Sequence, residues 1–117
     1  MQIKTHQIGN TKIAELISDT IIISTTEDGI ELLGTIYYEG FDKVIIHEKN
    51  ITPAFFDLKT GMAGEILQKF STYRIPIAIV GNFDSMKSKS IQAFISESNK
   101  QGHVTFVESI ESVFQKP

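Results

Sequence analysis

The sequence predicts an α/β fold, a mixed sheet that opens with an antiparallel hairpin, continues as βαβαβα and carries helices packed on the sheet. Three observations lead there. Short runs rich in Val and Ile alternate with longer stretches whose apolar residues recur every three or four positions. Val44-Ile45-Ile46 and Ile77-Ala78-Ile79-Val80 are apolar on both faces, which suits central parallel strands with helices on each side. Gly9-Asn10 lies between two strand-like segments and supplies the positive φ values of a tight hairpin.

In chain order, Gln2–Ile8 and Thr11–Ile17 form the hairpin, and its alternating pattern places it toward a sheet edge. Ser18-Asp19 breaks the run, and Thr20-Ile21-Ile22-Ile23-Ser24 reads as a third short strand. The period then changes. Ser24, Thr25 and Thr26 offer N-cap hydroxyls, Glu27 and Asp28 suit a first turn, and Ile30, Leu33 and Tyr37 recur at helical spacing until Gly40 stops the helix. Lys43–His47 is strand, Pro53–Tyr73 helix, Ile75–Val80 strand, and Ser88–Lys100 a helix closed by Gly102. Strand His103–Val107 and a short helix Ile110–Gln115, capped by Ser109, complete the pattern.

Composition narrows the function. The 117 residues suit a single domain, 41% hydrophobic and 21% charged as in ordinary globular chains. A net charge of −3, from 14 acidic and 11 basic residues, provides no general positive field for nucleic acid. Without cysteine there is no disulfide and no thiolate chemistry. Met1-Gln2-Ile3-Lys4-Thr5-His6 lacks the apolar run of a signal peptide, and no stretch is apolar enough to span a membrane, so the expected location is the cytoplasm.

The element order resembles the STAS fold of anti-sigma-factor antagonists and of the cytoplasmic tails of sulfate transporters. Phe55-Phe56-Asp57-Leu58-Lys59-Thr60-Gly61-Met62-Ala63-Gly64-Glu65-Ile66-Leu67-Gln68-Lys69-Phe70, with Tyr73 and Ala78-Ile79-Val80-Gly81, resembles the hallmark block of the bacterial domain-of-unknown-function family 4180. Ser88-Lys89-Ser90, Phe94-Ile95-Ser96-Glu97-Ser98-Asn99 and Phe106-Val107 extend that resemblance over nearly the whole chain. It implies no established activity. In the antagonists an Asp-Ser-Ser-Gly turn opens a helix, and a serine there is phosphorylated to switch partner binding. The comparable stretch here is Asp57-Leu58-Lys59-Thr60-Gly61, where Asp57 and Gly61 fit, one residue is extra and Thr60 is the only hydroxyl.

Two candidate regions follow. Asp57, Lys59, Thr60, Gly61 and Gly64 form a candidate partner-binding or phosphorylation segment, because phosphate at the start of a helix meets free N–H groups. If Pro53 begins the helix, Thr60 is instead an ordinary helical residue. Gly61 and Gly64 each cost about 1 kcal/mol relative to Ala inside a helix, so close packing against a neighbour or a partner is expected to compensate. Leu58, Met62, Ile66 and Phe70 make a core stripe, widened by Ala63 and Leu67, and Glu65 with Lys69 makes an i,i+4 pair on another face. The second region is the rim after the strand C-termini, with Glu48, Gly81, Asn82, Asp84 and Ser85 as contacts for a small polar ligand or anion, or as an ordinary turn. Lys87-Ser88-Lys89-Ser90 adds charge and hydroxyls beside it.

His6, His47 and His103 lack metal-ligand spacing, and the last two sit at strand boundaries where imidazoles are commonly just satisfied. No catalytic motif is present, and nothing calls for a cofactor or a metal. The expected role is a non-enzymatic interaction or regulatory module acting on a protein partner or by self-association. The alternative is a small-molecule sensor or enzyme that uses the strand-end rim.

Overall fold

The computed structural model describes residues 1–114; residues 115–117, and with them the last position of the expected helix Ile110–Gln115, lie outside the described residues. The chain opens with β1 (Gln2–Ile8) and β2 (Thr11–Ile17), antiparallel and in register from Ile8 opposite Thr11 to Gln2 opposite Ile17. Gly9 takes φ 60° in the two-residue turn. The expected third strand does not form. Within Thr20–Ser24 only Ile23 makes a single parallel bridge, to Ile51. The amides of Ile22 and Ile23 both donate to the Asn50 carbonyl at 2.7 and 3.1 Å. The buried Asn50 side chain donates to the Ser18 and Thr20 carbonyls at 2.9 and 2.8 Å. One side chain thus satisfies backbone groups that a strand would otherwise pair.

Helix α1 (Thr26–Tyr38) starts in a capping box: Thr25 Oγ1 accepts the Asp28 N–H, and the Asp28 carboxylate accepts the Thr25 N–H, both at 3.1 Å. Its buried face is Gly29, Leu32, Leu33 and Ile36, so Ile30 and Tyr37 of the expected periodic set face outward. Then come β3 (Lys43–His47), α2 (Met62–Thr72), β4 (Ile77–Val80), α3 (Lys89–Gln101, capped by Ser88), β5 (Val104–Val107) and α4 (Ile110–Phe114). The expected continuous helix Pro53–Tyr73 is broken. Pro53–Phe56 and Leu58–Thr60 are separate 3₁₀ turns, and Gly61 adopts φ 78° before α2 begins.

The sheet order is β1-β2-β3-β4-β5, antiparallel at the hairpin and parallel from β2 to β5. Each crossover steps in the same direction across the sheet, and with connections of one hand the crossover helices fall on one face. Helices therefore cover both faces unequally, with α1, α2 and α3 on one and only α4 among the described residues on the other. The main core joins α1, α2 and α3 to Ala14, Leu16, Val44, Ile46, Ile77, Ile79, Val104 and Phe106, with Ile66 and Phe70 of the expected stripe fully buried. The opposite face carries Ile13, Ile45, Ala78 and Val80, covered among the described residues by Ile110, Val113 and Phe114 of α4. Helix α1 approaches α2 at Gly29, where a Cβ would stand 2.6 Å from Ile66 Cδ1. The last strand has one further fixture: Asn99 Oδ1 accepts the Phe106 N–H at 2.7 Å, and Asn99 Nδ2 donates to the Phe106 carbonyl at 3.2 Å. No helix among the described residues is long and apolar enough to cross a membrane.

Candidate functional site

With strand order never reversing, the sheet has no switch-point crevice of the doubly wound kind. A cleft is built from irregular backbone instead. It lies beyond the C-terminal ends of β3 and β4, between the Pro53–Thr60 turns and the entry to α3, and encloses about 850 Å³. Ile21, Ile51, Pro53, Phe56, Leu58, Met86 and Ile91 supply apolar walls, and Glu48, Lys49, Asp57, Lys59, Lys87 and Ser88 the polar ones. Its volume falls within the roughly 300–1,000 Å³ of small-ligand sites.

Each wall has an identifiable support. Asn50 holds the loop that presents Ile21. Thr60 pins the double turn: Oγ1 lies 2.8 Å from the Ala54 carbonyl and 2.9 Å from the Asp57 carbonyl, sharing its proton between them, and accepts the Met62 N–H at 3.2 Å. Gln92 Nε2 donates to the Phe83 and Met86 carbonyls and so fixes the loop carrying Met86. Phe56 stacks at a tilt on Phe83, their ring centroids 6.1 Å apart, linking the two walls through the core.

The charges in the cleft are unequal in their commitments. Asp57 accepts the Lys59 N–H at 3.1 Å, and Glu48 accepts the Asn82 N–H at 3.2 Å, so each carboxylate is held by a backbone amide. Glu48 is also packed against Gly81, where a Cβ would fall 2.4 Å from its Oε1; only glycine fits without displacing it. Lys49, Lys59 and Lys87 are exposed, and among the described residues their ammonium groups make no ion pair.

A second polar cluster lies on the other face of the sheet. Glu15, 8% exposed, bonds through Oε1 to His6 Nε2 at 2.9 Å and through Oε2 to His47 Nε2 at 3.1 Å. Burial alone would raise its carboxyl pKa, but hydrogen bonds and charge from the two imidazoles outweigh it and hold the group below the ordinary glutamate value. Lys43, half-buried on the same face by register, has its pKa lowered by desolvation. The imidazoles engage opposite oxygens of one carboxylate, and no group of three ligating residues among those described is arranged to hold a metal ion. His103 differs from the expectation of a satisfied imidazole: its Nε2 is buried without a partner.

Residues 8–116 match the family described as Domain of unknown function (DUF4180). The chain belongs to this family. No curated protein matches it. Among solved structures, the NMR structure of the protein TM1081 is 13% identical, with a TM-score of 0.48 over 97% of this chain and 86% of that one.

In the DUF4180 chain the residues singled out from sequence divide by geometry. Asp57 and Lys59 meet Glu48 in one cleft, joining the two candidate regions. Thr60 stands behind the wall, and Gly61 makes the left-handed step into α2. Gly64 is exposed with nothing within 4 Å of a Cβ position, so no close packing accounts for it. Asn82 faces Glu48 through its amide, while its Oδ1 accepts the Asp84 N–H; Asp84 and Ser85 are exposed and do not line the cleft. Glu65 and Lys69 form no ion pair. Phe56, Met86, Ile91 and Lys49 were not legible as cleft residues, since nothing short of the turn geometry brings them together. Ile21, read as strand, is 43% exposed in the cleft.

Proposed function

We propose that this DUF4180 chain is a non-enzymatic, STAS-like interaction module whose strand-end cleft receives an apolar, acidic segment of a partner protein. One observation carries the reading: an apolar floor ringed by three lysines without ion-pair partners among the described residues, while both cleft carboxylates are bound to backbone amides. Such a surface buries apolar side chains and attracts negative charge, and it offers no arranged acid, base or nucleophile. Thr60 is the proposed point of control. Phosphorylation there removes the O–H donor from the Ala54 and Asp57 carbonyls, so it acts by releasing a cleft wall as well as by adding charge.

The test is affinity capture with the wild type, with Leu58→Glu and with the combined Lys49→Glu, Lys59→Glu, Lys87→Glu variant. Partners retained by the wild type and lost by both variants, then competed off by their own acidic segment, support the reading. An unchanged captured set overturns it. The cleft volume also favours a second reading, a small amphipathic carboxylate as ligand. In that case decanoate raises the melting temperature of the wild type and leaves the lysine variant unmoved.

A further inference from the structure

The outer surface of α1 and α2 shares no lining residue with the cleft, and it carries features that the packing of one chain does not use. Between the helices is a hollow of about 200 Å³, lined by Ile30, Leu33, Gly34, Tyr37, Lys69 and Tyr73. Tyr37 and Tyr73 meet edge to face across it, their ring centroids 5.4 Å apart. Gly34 sits in the interior of α1, where it costs about 1 kcal/mol relative to Ala, yet nothing lies within 4 Å of its Cβ position. No contact within the chain requires a glycine there. One turn further along α1, beside the hollow, Tyr38 stands 90% exposed.

We propose that this surface is an isologous interface between two copies of the chain, the Tyr38 ring of each entering the hollow of the other over Gly34. A two-fold interface requires knob and hole on the same patch, and both are present here. Charge is arranged to match: Glu31 and Glu39 on the α1 side and Lys69 and Arg74 on the α2 side are exposed, with no ion pairs among the described residues. A half-turn about an axis through the patch sets the acidic edge of one copy against the basic edge of the other. Each inserted ring removes about 150–250 Å² from water, so two rings supply only part of the roughly 1,200 Å² of a standard interface. The expected dimer is therefore a weak one, to be sought from roughly 1 μM to 1 mM chain.

Sedimentation velocity over that range, with thermal melts as the control for folding, tests the proposal. The wild type should sediment as a concentration-dependent dimer. Tyr38→Ala, which removes the knob, and Gly34→Phe, which fills the hollow, should each be folded monomers. Mixed together they should associate again, more weakly than the wild type, because Gly34→Phe still carries a knob and Tyr38→Ala still carries a hole. A wild type that stays monomeric throughout overturns the proposal, and so does a dimer that both variants leave intact or a mixture that fails to associate.

Discussion

At the scale of single residues, Glu15 is the most consequential polar group outside the cleft. Its folded pKa lies below the unfolded value, so its ionised form contributes stability that is present above the unfolded carboxylate pKa and lost as pH falls through the folded one. Urea melts should show the wild type losing stability as pH drops below about 4.5, near the glutamate reference value. Glu15→Gln should flatten that segment of the profile and cost roughly 1–3 kcal/mol at pH 7, because two part-buried hydrogen bonds to a charged carboxylate are weakened. An unchanged acid profile would mean that other carboxylates set the slope. The cluster was unreadable from the sequence because its members stand 9 and 32 positions apart. The Gly9-Asn10 turn fixes Lys4 opposite Glu15 and His6 opposite Ile13, so His6 is only diagonal to the carboxylate, and His47 arrives through the β2-β3 register.

At the scale of elements, the segment from Pro53 to Thr72 separates what local sequence conveys from what it does not. Of the expected stripe, Ile66 and Phe70 are buried with Ala63 and Leu67, while Met62 is half-buried and Leu58 falls outside α2, half-buried in the cleft wall. The buried part was legible, because a helical stripe needs only its own period. The break at Gly61 was not, since Pro53 and Asp57 are each good starts for a helical turn and the chain uses both, one after the other. Asp57 caps its turn through Lys59 N–H, and Gly61 then reverses the backbone at φ 78°. The two nearby glycines should consequently respond in opposite directions. Gly61→Ala forces a side chain into the left-handed region and should destabilise by about 1–2 kcal/mol. Gly64→Ala, exposed near the start of α2, should stabilise by a few tenths to about 1 kcal/mol. Chemical denaturation of the two variants checks this, and equal shifts would argue against the left-handed joint.

At the scale of the whole molecule, the βα alternation, the hairpin and the parallel core strands were readable because caps, breakers and periodicity agree along the chain. The gathering of the three crossover helices on one face, with α4 alone among the described residues on the other, was not, for it depends on strand order, which local patterns leave open. The cleft shares that fate, its walls coming from segments far apart in sequence. A sheet ordered β1 to β5 also has two open edges, at β1 and β5. On β5 the Asn99 amide occupies both the N–H and the C=O of Phe106, as a neighbouring strand would. Asn99→Ala should therefore change little in helix content while raising the rate of turbidity growth at high protein concentration, and an unaltered rate would show that the clamp has no such role. What looks like a local hydrogen-bonded pair is then a guard against templating: with the amide in place, an incoming chain finds the middle of a four-residue strand already taken, and cross-molecule sheet growth has no run long enough to begin.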